Sequence, residues 1–202
     1  MGNITSLGSI VRTHSQNIGN KTALVLGDRT QSWSQLYERS MKMANALAAA
    51  GVGSQDRIAF LDKNGIEHFE VLYGAALLNA VSVDVNFRLA GPEVEYIVNN
   101  AEAKVFIVGP DFVPILDAIA DNLTTAKTIV VIGGHSKFQS YDTFIESGKA
   151  VDPNTPSADG DVAFQLYSSG TTGRPKGVML TNSNFFALIP FAKEMWKFDD
   201  NR

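Results

Sequence analysis

Short apolar runs alternate with helix-like segments along most of this chain, and that alternation constrains its fold more than any other feature. The runs are four or five residues long and rich in Val, Ile and Phe, whereas the segments between them have helical spacing. The predicted strands cover 57–61, 81–85, 105–108 and 128–132, and the predicted helices cover 67–80, 92–99 and 112–120. We therefore predict an α/β fold, a layered and largely parallel sheet flanked by helices.

The segments on either side of this alternation predict a division of the chain into two parts. In order, they are a helix over 6–16, a hairpin over 24–33, a helix over 34–49 that Ser34 caps and Gly51 ends, and a short helix over 141–146. Residues 147–160 have no apolar period and are typical of a connector. We predict an α/β amino-terminal subdomain over 1–160, with a strand pair and the first helix of the next subdomain over 161–202.

The most informative local stretch is YSSGTTGRPKG at residues 167–177, which we call the phosphate loop. It lies between a predicted strand over 161–167 and a returning strand over 178–181. Its glycines permit positive φ, so successive N–H groups can point into one concavity and bind an anion, while its hydroxyls and lysine add donors. Each charge-assisted hydrogen bond to a phosphate contributes about 1.5 to 3 kcal/mol. The candidate phosphate-binding residues are Ser168, Ser169, Gly170, Thr171, Thr172, Gly173 and Lys176.

Residue order separates this loop from two other phosphate-binding loops. A Walker loop places its lysine directly after the last glycine and a hydroxyl after the lysine, whereas here Lys176 precedes Gly177. A dinucleotide-binding loop opens a helix, whereas a strand is predicted to follow Gly177. An ordinary turn remains as the alternative, because Gly, Ser and Thr also dominate turns.

Composition excludes several other classes of function. The net charge of −4 provides no basic field for nucleic acid. There are no cysteines, and His14, His68 and His135 are too widely separated to suggest a metal site. No basic segment followed by an apolar core precedes the first helix, so we expect a cytoplasmic protein without a signal peptide or a stable membrane anchor.

Residues 86–88, Asn-Phe-Arg, follow the predicted strand over 81–85 at its carboxyl end, where open α/β sheets often bind ligands. Arg88 is expected to fix a turn or to pair with Glu93 or Glu95. Contact with a ligand is the alternative.

The sequence resembles the AMP-forming acyl-CoA synthetases of the adenylate-forming superfamily. YSSGTTGRPKGVMLTNSN is similar to that family's phosphate-loop motif, and blocks over 32–50, 51–61, around Asn64 and over 85–98 are similar to its opening blocks, in the same order. Gln165 departs from the pattern, which usually has an apolar residue there, and Asn182 stands where many members have histidine. The resemblance implies that this is the amino-terminal part of the family's large domain.

The resemblance also implies a reaction. ATP and a carboxylic acid, here a fatty acid, would give an acyl-adenylate and pyrophosphate, and coenzyme A would then accept the acyl group. ATP, Mg²⁺ and coenzyme A are the implied substrates and cofactors. The family's catalytic and metal-binding residues lie beyond the matched blocks, so we assign none here and expect the chain alone to be inactive. An acyl carrier protein as acceptor, an aromatic acid as substrate, and a non-enzymatic nucleotide-binding module are the alternatives.

Finally, the last predicted helix, after Asn182, is strongly apolar, with Phe185, Phe186, Leu188, Ile189, Phe191, Met195, Trp196 and Phe198. In the complete family this region lies near the acyl-binding cavity. If the rest of the enzyme does not cover it, we expect this face to drive dimerisation or aggregation.

Overall fold

The structure, a computed structural model, describes residues 4–168 and 173–197. Its helices are α1 (Leu7–Ile18), α2 (Trp33–Ala49), α3 (Ile66–Leu77), α4 (Gly91–Asn100), α5 (Val113–Ile119), α6 (Tyr141–Glu146) and α7 (Asn182–Trp196). Its strands are β1 (Thr22–Leu26), β2 (Arg29–Ser32), β3 (Arg57–Leu61), β4 (Val81–Asp84), β5 (Val105–Val108), β6 (Thr128–Val131), β7 (Gln139–Ser140), β8 (Val162–Ser168) and β9 (Lys176–Thr181). Short 3₁₀ turns, Pro110–Phe112 and Ala120–Asn122, flank α5.

A seven-stranded sheet forms the centre of the fold, in the order β7-β6-β5-β3-β4-β8-β9. Neighbouring strands are parallel except β8 and β9, which are antiparallel. The prediction of a largely parallel sheet is confirmed. Because parallel strands point the same way, the carboxyl ends of β3, β4, β5, β6 and β8 lie along one edge, which we call the carboxyl edge. Strands β1 and β2 form a separate antiparallel ribbon.

Helices cover both faces of the sheet. Ile58 and Phe60 of β3 belong to a core cluster with residues of α1, α2, α3 and α6. Ala59 and Leu61 belong to a second cluster with residues of α4 and α5. Successive side chains of a strand point to opposite faces, so a parallel strand buried on both faces is apolar at nearly every position. This burial explains why the sequences of β3 and β5 are nearly continuous apolar runs, from which both strands could be predicted.

The start of α2 differs from the sequence prediction. Ser32, rather than Ser34, is the N-cap: the Ser32 hydroxyl accepts from the Gln35 N–H at 3.3 Å, and the Gln35 side chain accepts from the Ser32 N–H at 2.8 Å. This reciprocal capping box satisfies two backbone donors at once, which Ser34 cannot do from inside the helix. The predicted end is confirmed, because Gly51 has a φ of 86°.

Helix α3 ends at Leu77, three residues before the predicted end at residue 80. Asn79 stops the helix with a φ of 55°, in the left-handed region that asparagine tolerates better than most residues. Its side chain donates to Ser54 Oγ at 3.0 Å and to Asp161 Oδ2 at 2.9 Å. The apolar pattern of the sequence continued through this position and so concealed the end of the helix.

Helix α7 follows β9 directly and leaves much of its apolar surface exposed. Phe185 packs against Phe164 of β8, with ring centroids 5.9 Å apart. Leu188, Phe191 and Met195 are 63%, 67% and 73% exposed. The apolar residues that the sequence places on this helix are therefore largely exposed at these three positions, whereas Phe198 lies outside the described part of the chain. Within residues 4–168 and 173–197, no helix is long and apolar enough to cross a bilayer.

The predicted division of the chain at residue 160 stays a prediction. Strand β8 follows that point, and it is hydrogen-bonded to β4 within the same sheet.

Candidate functional site

The phosphate loop emerges at the carboxyl edge of the sheet, between β8 and β9. Strand β8 is parallel to β4, with Leu166 opposite Asp84, so Ser168 lies two residues beyond that last pair. Ligands of open α/β sheets bind outside this edge. The topology therefore places the loop where such sheets carry their ligand sites.

Three of the seven candidate phosphate-binding residues are described by the structure. Ser168 and Lys176 are opposite each other across the β8–β9 pair, and both are exposed. Gly173 has a φ of 89°, which favours glycine over any residue with a Cβ. The other four candidates, Ser169, Gly170, Thr171 and Thr172, lie outside the described residues. Phosphate binding by all seven stays a prediction.

Two residues distant in the sequence fix the start of β8. Gln55 pairs with the backbone of Val162: its Nε2 donates to the Val162 carbonyl at 3.2 Å, and its Oε1 accepts from the Val162 N–H at 3.0 Å. Asn79 donates to Asp161, the residue before β8. Sequence reasoning missed both residues, because side-chain pairing with a strand over 80 or 100 residues away leaves no local pattern.

A cleft of about 380 Å³ lies at the carboxyl ends of β3, β4 and β8. The segment after β3 leads to α3 on one face of the sheet, and the segment after β4 leads to α4 on the other. A crevice between strands whose connections diverge in this way is the usual ligand site of a doubly wound sheet. Tyr167, the first residue of the phosphate loop, lines the cleft, so the two features adjoin. The polar lining also includes Asp62, Asn64, His68, Asp84, Asn86 and Arg88.

The Asp84 carboxylate is held in place by two neighbours in this cleft. Ser82 Oγ donates to Asp84 Oδ1 at 3.0 Å, and His68 Nε2 lies 3.2 Å from the same oxygen. The His68 ring stacks on Phe60, with centroids 4.8 Å apart and an interplanar angle of 11°. Burial raises the pKa of Asp62, which lines the same cleft. Carboxylates, an imidazole and a guanidinium suit a polar ligand rather than an acyl chain.

Residues 86–88 form one wall of the cleft. The side chain that stabilises the turn here is that of Asn86, not that of Arg88 as predicted. The Asn86 side chain accepts from the Arg88 N–H at 3.0 Å, whereas the Arg88 guanidinium lies 4.8 Å from the centroid of the Phe87 ring. The predicted ion pair with Glu93 or Glu95 is wrong within the described chain. Glu93 accepts from the Ala90 N–H and Glu95 from the Asn122 amide. Ligand contact by Arg88 stays a hypothesis.

The described residues contain no group of three or more His, Cys, Asp or Glu side chains arranged to hold a metal ion. At the carboxyl edge, these residues include the exposed Ser168 and Lys176 beside the polar lining of the cleft.

Known proteins are similar to this chain over most of its length. The AMP-binding enzyme family model matches residues 11–201. The fatty acid–[acyl-carrier-protein] ligase ScoC of Streptomyces coeruleorubidus is 34% identical over 186 residues, which cover 90% of this chain and 34% of the relative. The long-chain-fatty-acid–CoA ligase FadD13 of Mycobacterium tuberculosis is 35% identical over 158 residues, covering 78% of this chain and 31% of the relative.

A solved structure shows the same fold. The anthranilate CoA ligase AuaEII, in complex with anthranoyl-AMP, superposes with a TM-score of 0.86 at 29% identity, over 95% of this chain and 36% of that one. The chain thus spans about a third of the length of the curated relatives it matches. The family model covers nearly the whole sequence, and the resemblance seen in the sequence motifs is confirmed: the chain belongs to the AMP-binding enzyme family.

Proposed function

We propose that this chain is the phosphate-binding, amino-terminal part of an ATP-dependent acid–thiol ligase that activates a carboxylic acid as an acyl-adenylate. The observation that carries the proposal is the position of Ser168 and Lys176. They face each other at the mouth of one loop, on the carboxyl edge of the sheet, in a chain of the AMP-binding enzyme family. Membership of that family supports adenylate formation as the chemistry.

The residues at the loop fit the demands of that chemistry. A carboxylate must approach an anionic α-phosphate, so donors have to neutralise the phosphates and stabilise the pyrophosphate leaving group. The hydroxyl of Ser168 and the ammonium of Lys176 are such donors, and Gly173 allows close backbone approach. Bound Mg²⁺ would supply further neutralisation on the nucleotide phosphates. We assign it no ligand from this chain and expect it to arrive with ATP.

For the acyl substrate we propose a fatty acid, and for the acceptor coenzyme A. The named activity of FadD13 supports both choices. ScoC and AuaEII support the alternatives, an acyl carrier protein as acceptor and an aromatic acid as substrate. A nucleotide-binding module without catalysis is the remaining alternative. Pyrophosphate release by the complete gene product with palmitate or anthranilate, and product analysis with coenzyme A or carrier protein, separates these cases.

We further propose that the chain alone binds the nucleotide but does not turn over. The reason is its coverage, about a third of each curated relative. We expect no pyrophosphate release from ATP and fatty acid by the purified 202-residue chain. Efficient acyl-CoA formation by this polypeptide would contradict the proposal.

Substitution of the loop lysine tests the phosphate role. We expect Lys176→Ala to weaken MgATP binding by tenfold or more, because one charge-assisted hydrogen bond contributes about 1.5 to 3 kcal/mol. Isothermal titration calorimetry on the chain measures the affinity. Lys127→Ala is the matched control: Lys127 is exposed and precedes β6 at the opposite edge of the sheet, so its loss should leave the affinity unchanged. Equal losses in the two variants, or no ATP binding by the unmodified chain, would overturn the proposed role.

A further inference from the structure

Helix α4 contacts the phosphate loop on both of its sides, at Tyr167 near the end of β8 and at Arg174 shortly before β9, and we call these two segments the first and second stem. On the first stem, the Tyr167 hydroxyl donates to Asn100 Oδ1 at 2.7 Å. On the second stem, the Arg174 guanidinium lies 5.6 Å from the centroid of the Tyr96 ring, within the range of a cation–π contact. Tyr96 and Asn100 are four residues apart, so they project from the same side of α4. One helix face therefore contacts the phosphate loop at two points, its first residue Tyr167 and the later residue Arg174.

Gln165 extends the first contact. Its Nε2 donates a hydrogen bond to the Tyr167 hydroxyl at 3.0 Å, and that hydroxyl in turn donates to Asn100 Oδ1. The resemblance to acyl-CoA synthetases places an apolar residue at this position, and an apolar side chain would leave the Tyr167 oxygen without this donor. The unusual residue of the sequence is thus a member of the contact between the loop and the helix.

Gly177 provides the space for this arrangement. A Cβ on Gly177, which is opposite Tyr167 in the β8–β9 pair, would lie 2.7 Å from Gln165 Nε2 and 3.3 Å from Tyr167 Cζ. Both side chains lean across the strand at that point, so a residue with a Cβ would displace the Gln165 amide from its present position. The last glycine of the loop motif thus leaves room for the hydrogen bond between Gln165 and Tyr167.

Helix α4 also connects the stems to the cleft. It begins at Gly91, three residues after Arg88, and its first residues follow the segment that forms the cleft wall. Its last residue, Asn100, contacts Tyr167, which lines the cleft as well. Helix α4 therefore follows the cleft wall at its start and contacts the first stem at its last residue.

We propose that Tyr96 and Asn100 are positioning residues that hold the two stems of the phosphate loop against α4, and that Gln165 strengthens the Asn100 contact. The positioning of the stems can be tested without any ligand. Its consequence for ATP affinity rests on the proposed function. Neither residue is assigned a contact with the nucleotide, so their influence on it acts through Tyr167 and Arg174.

Hydrogen–deuterium exchange on the unmodified chain and its variants provides the first test. We expect Tyr96→Ala and Asn100→Leu to speed amide exchange about three- to tenfold in peptides covering β8 and β9, as the loss of one modest interaction predicts. Tyr96→Phe keeps the ring and Asn100→Asp keeps an acceptor oxygen, so both should exchange like the unmodified chain. A double variant, Tyr96→Ala with Arg174→Gln, should exchange no faster than the faster single variant, because both changes break the same contact.

The second test measures MgATP affinity by calorimetry. We expect Tyr96→Ala and Asn100→Leu to weaken it about three- to tenfold, with rescue in Tyr96→Phe and Asn100→Asp. Unchanged exchange in β8 and β9 for both disruptive variants would overturn the proposal. Faster exchange with unchanged ATP affinity would overturn the linkage between stem position and binding. If the unmodified chain binds no ATP, the proposed function fails, and the exchange data alone decide whether α4 positions the stems.

Discussion

At the scale of single residues, Glu70 has a buried carboxylate whose hydrogen-bond partners come from several elements. Its carboxylate accepts from Gln31 at 2.8 Å, from Arg39 at 2.9 and 3.1 Å, and from the Tyr141 hydroxyl at 2.7 Å. Burial, with the nearby Glu70 carboxylate, raises the pKa of Tyr141 well above its usual value, so the hydroxyl remains a donor. A buried carboxylate is tolerated only when it is paired and hydrogen-bonded, and here β2, α2 and α6 supply the partners of a residue on α3.

Removal of this carboxylate should therefore be costly. We expect Glu70→Ala to lower the free energy of unfolding by about 3 to 5 kcal/mol, because it leaves Arg39 and Tyr141 without their buried partner. Glu146→Ala is the matched control, since Glu146 also pairs with Arg39 but at an exposed position. Its loss should cost about 1 kcal/mol or less. Urea denaturation measures the free energy of unfolding of both variants. Equal losses of stability in the two variants would show that the buried position of Glu70 adds nothing to the stabilisation by its contacts.

At the scale of elements, Asp152 fastens the connector over residues 147–160 to the helical layer. Its Oδ1 accepts from Arg12 Nη2 of α1 at 2.8 Å, and its Oδ2 accepts from the Tyr37 hydroxyl of α2 at 2.6 Å. Burial alone would raise the pKa of Asp152, but the hydrogen bonds from Arg12 and Tyr37 outweigh it and hold that pKa below its usual value. Burial, followed by the bond to Asp152, raises the pKa of Tyr37 to about 12.

This contact should make stability depend on pH on the acid side. Because the pKa of Asp152 is lower in the folded chain, its stabilisation is complete above the unfolded pKa of about 3.9 and is lost as the pH falls through the folded value. We therefore expect Asp152→Asn to reduce stability at pH 6 to 8 and to converge with the unmodified chain below about pH 4.

Chemical denaturation across this pH range measures the effect. Asp159→Asn, an exposed change on the same connector, is the control and should run parallel to the unmodified chain. A constant difference between Asp152→Asn and the unmodified chain from pH 3 to 8 would contradict the assigned role.

The elements also show what sequence could and could not predict. Strands β3 and β5 were predictable because burial on both faces makes them continuously apolar. Strand β7 was not, since two residues, Gln139 and Ser140, are too short for any pattern. The phosphate loop was recognisable because its chemistry is local, in residue order. Of the cleft beside it, only the wall formed by residues 86–88 was indicated, because the cleft is assembled from β3, β4 and β8, and only the folded topology brings those strands together.

At the scale of the whole molecule, the described surface carries one stripe of apolar side chains on α7. Leu188, Phe191 and Met195 are spaced by three and four residues and so lie on one side of the helix. Met179 of the preceding strand β9 is also 64% exposed. Apolar surface of this kind usually marks a protein interface, and when nothing covers it, water favours its burial between molecules.

We therefore expect the 202-residue chain to self-associate at micromolar concentration and to enhance the fluorescence of a hydrophobic dye. The double variant Leu188→Glu with Phe191→Glu should weaken association by tenfold or more, because burial of each apolar side chain contributes about 1.5 to 3 kcal/mol. Val25→Glu is the matched control: Val25 is 68% exposed but lies on the separate β1–β2 ribbon, so this change should leave association intact. Light scattering coupled to size-exclusion chromatography measures the mass. A chain that stays monomeric and does not enhance the fluorescence of the dye would show that the α7 stripe does not drive self-association.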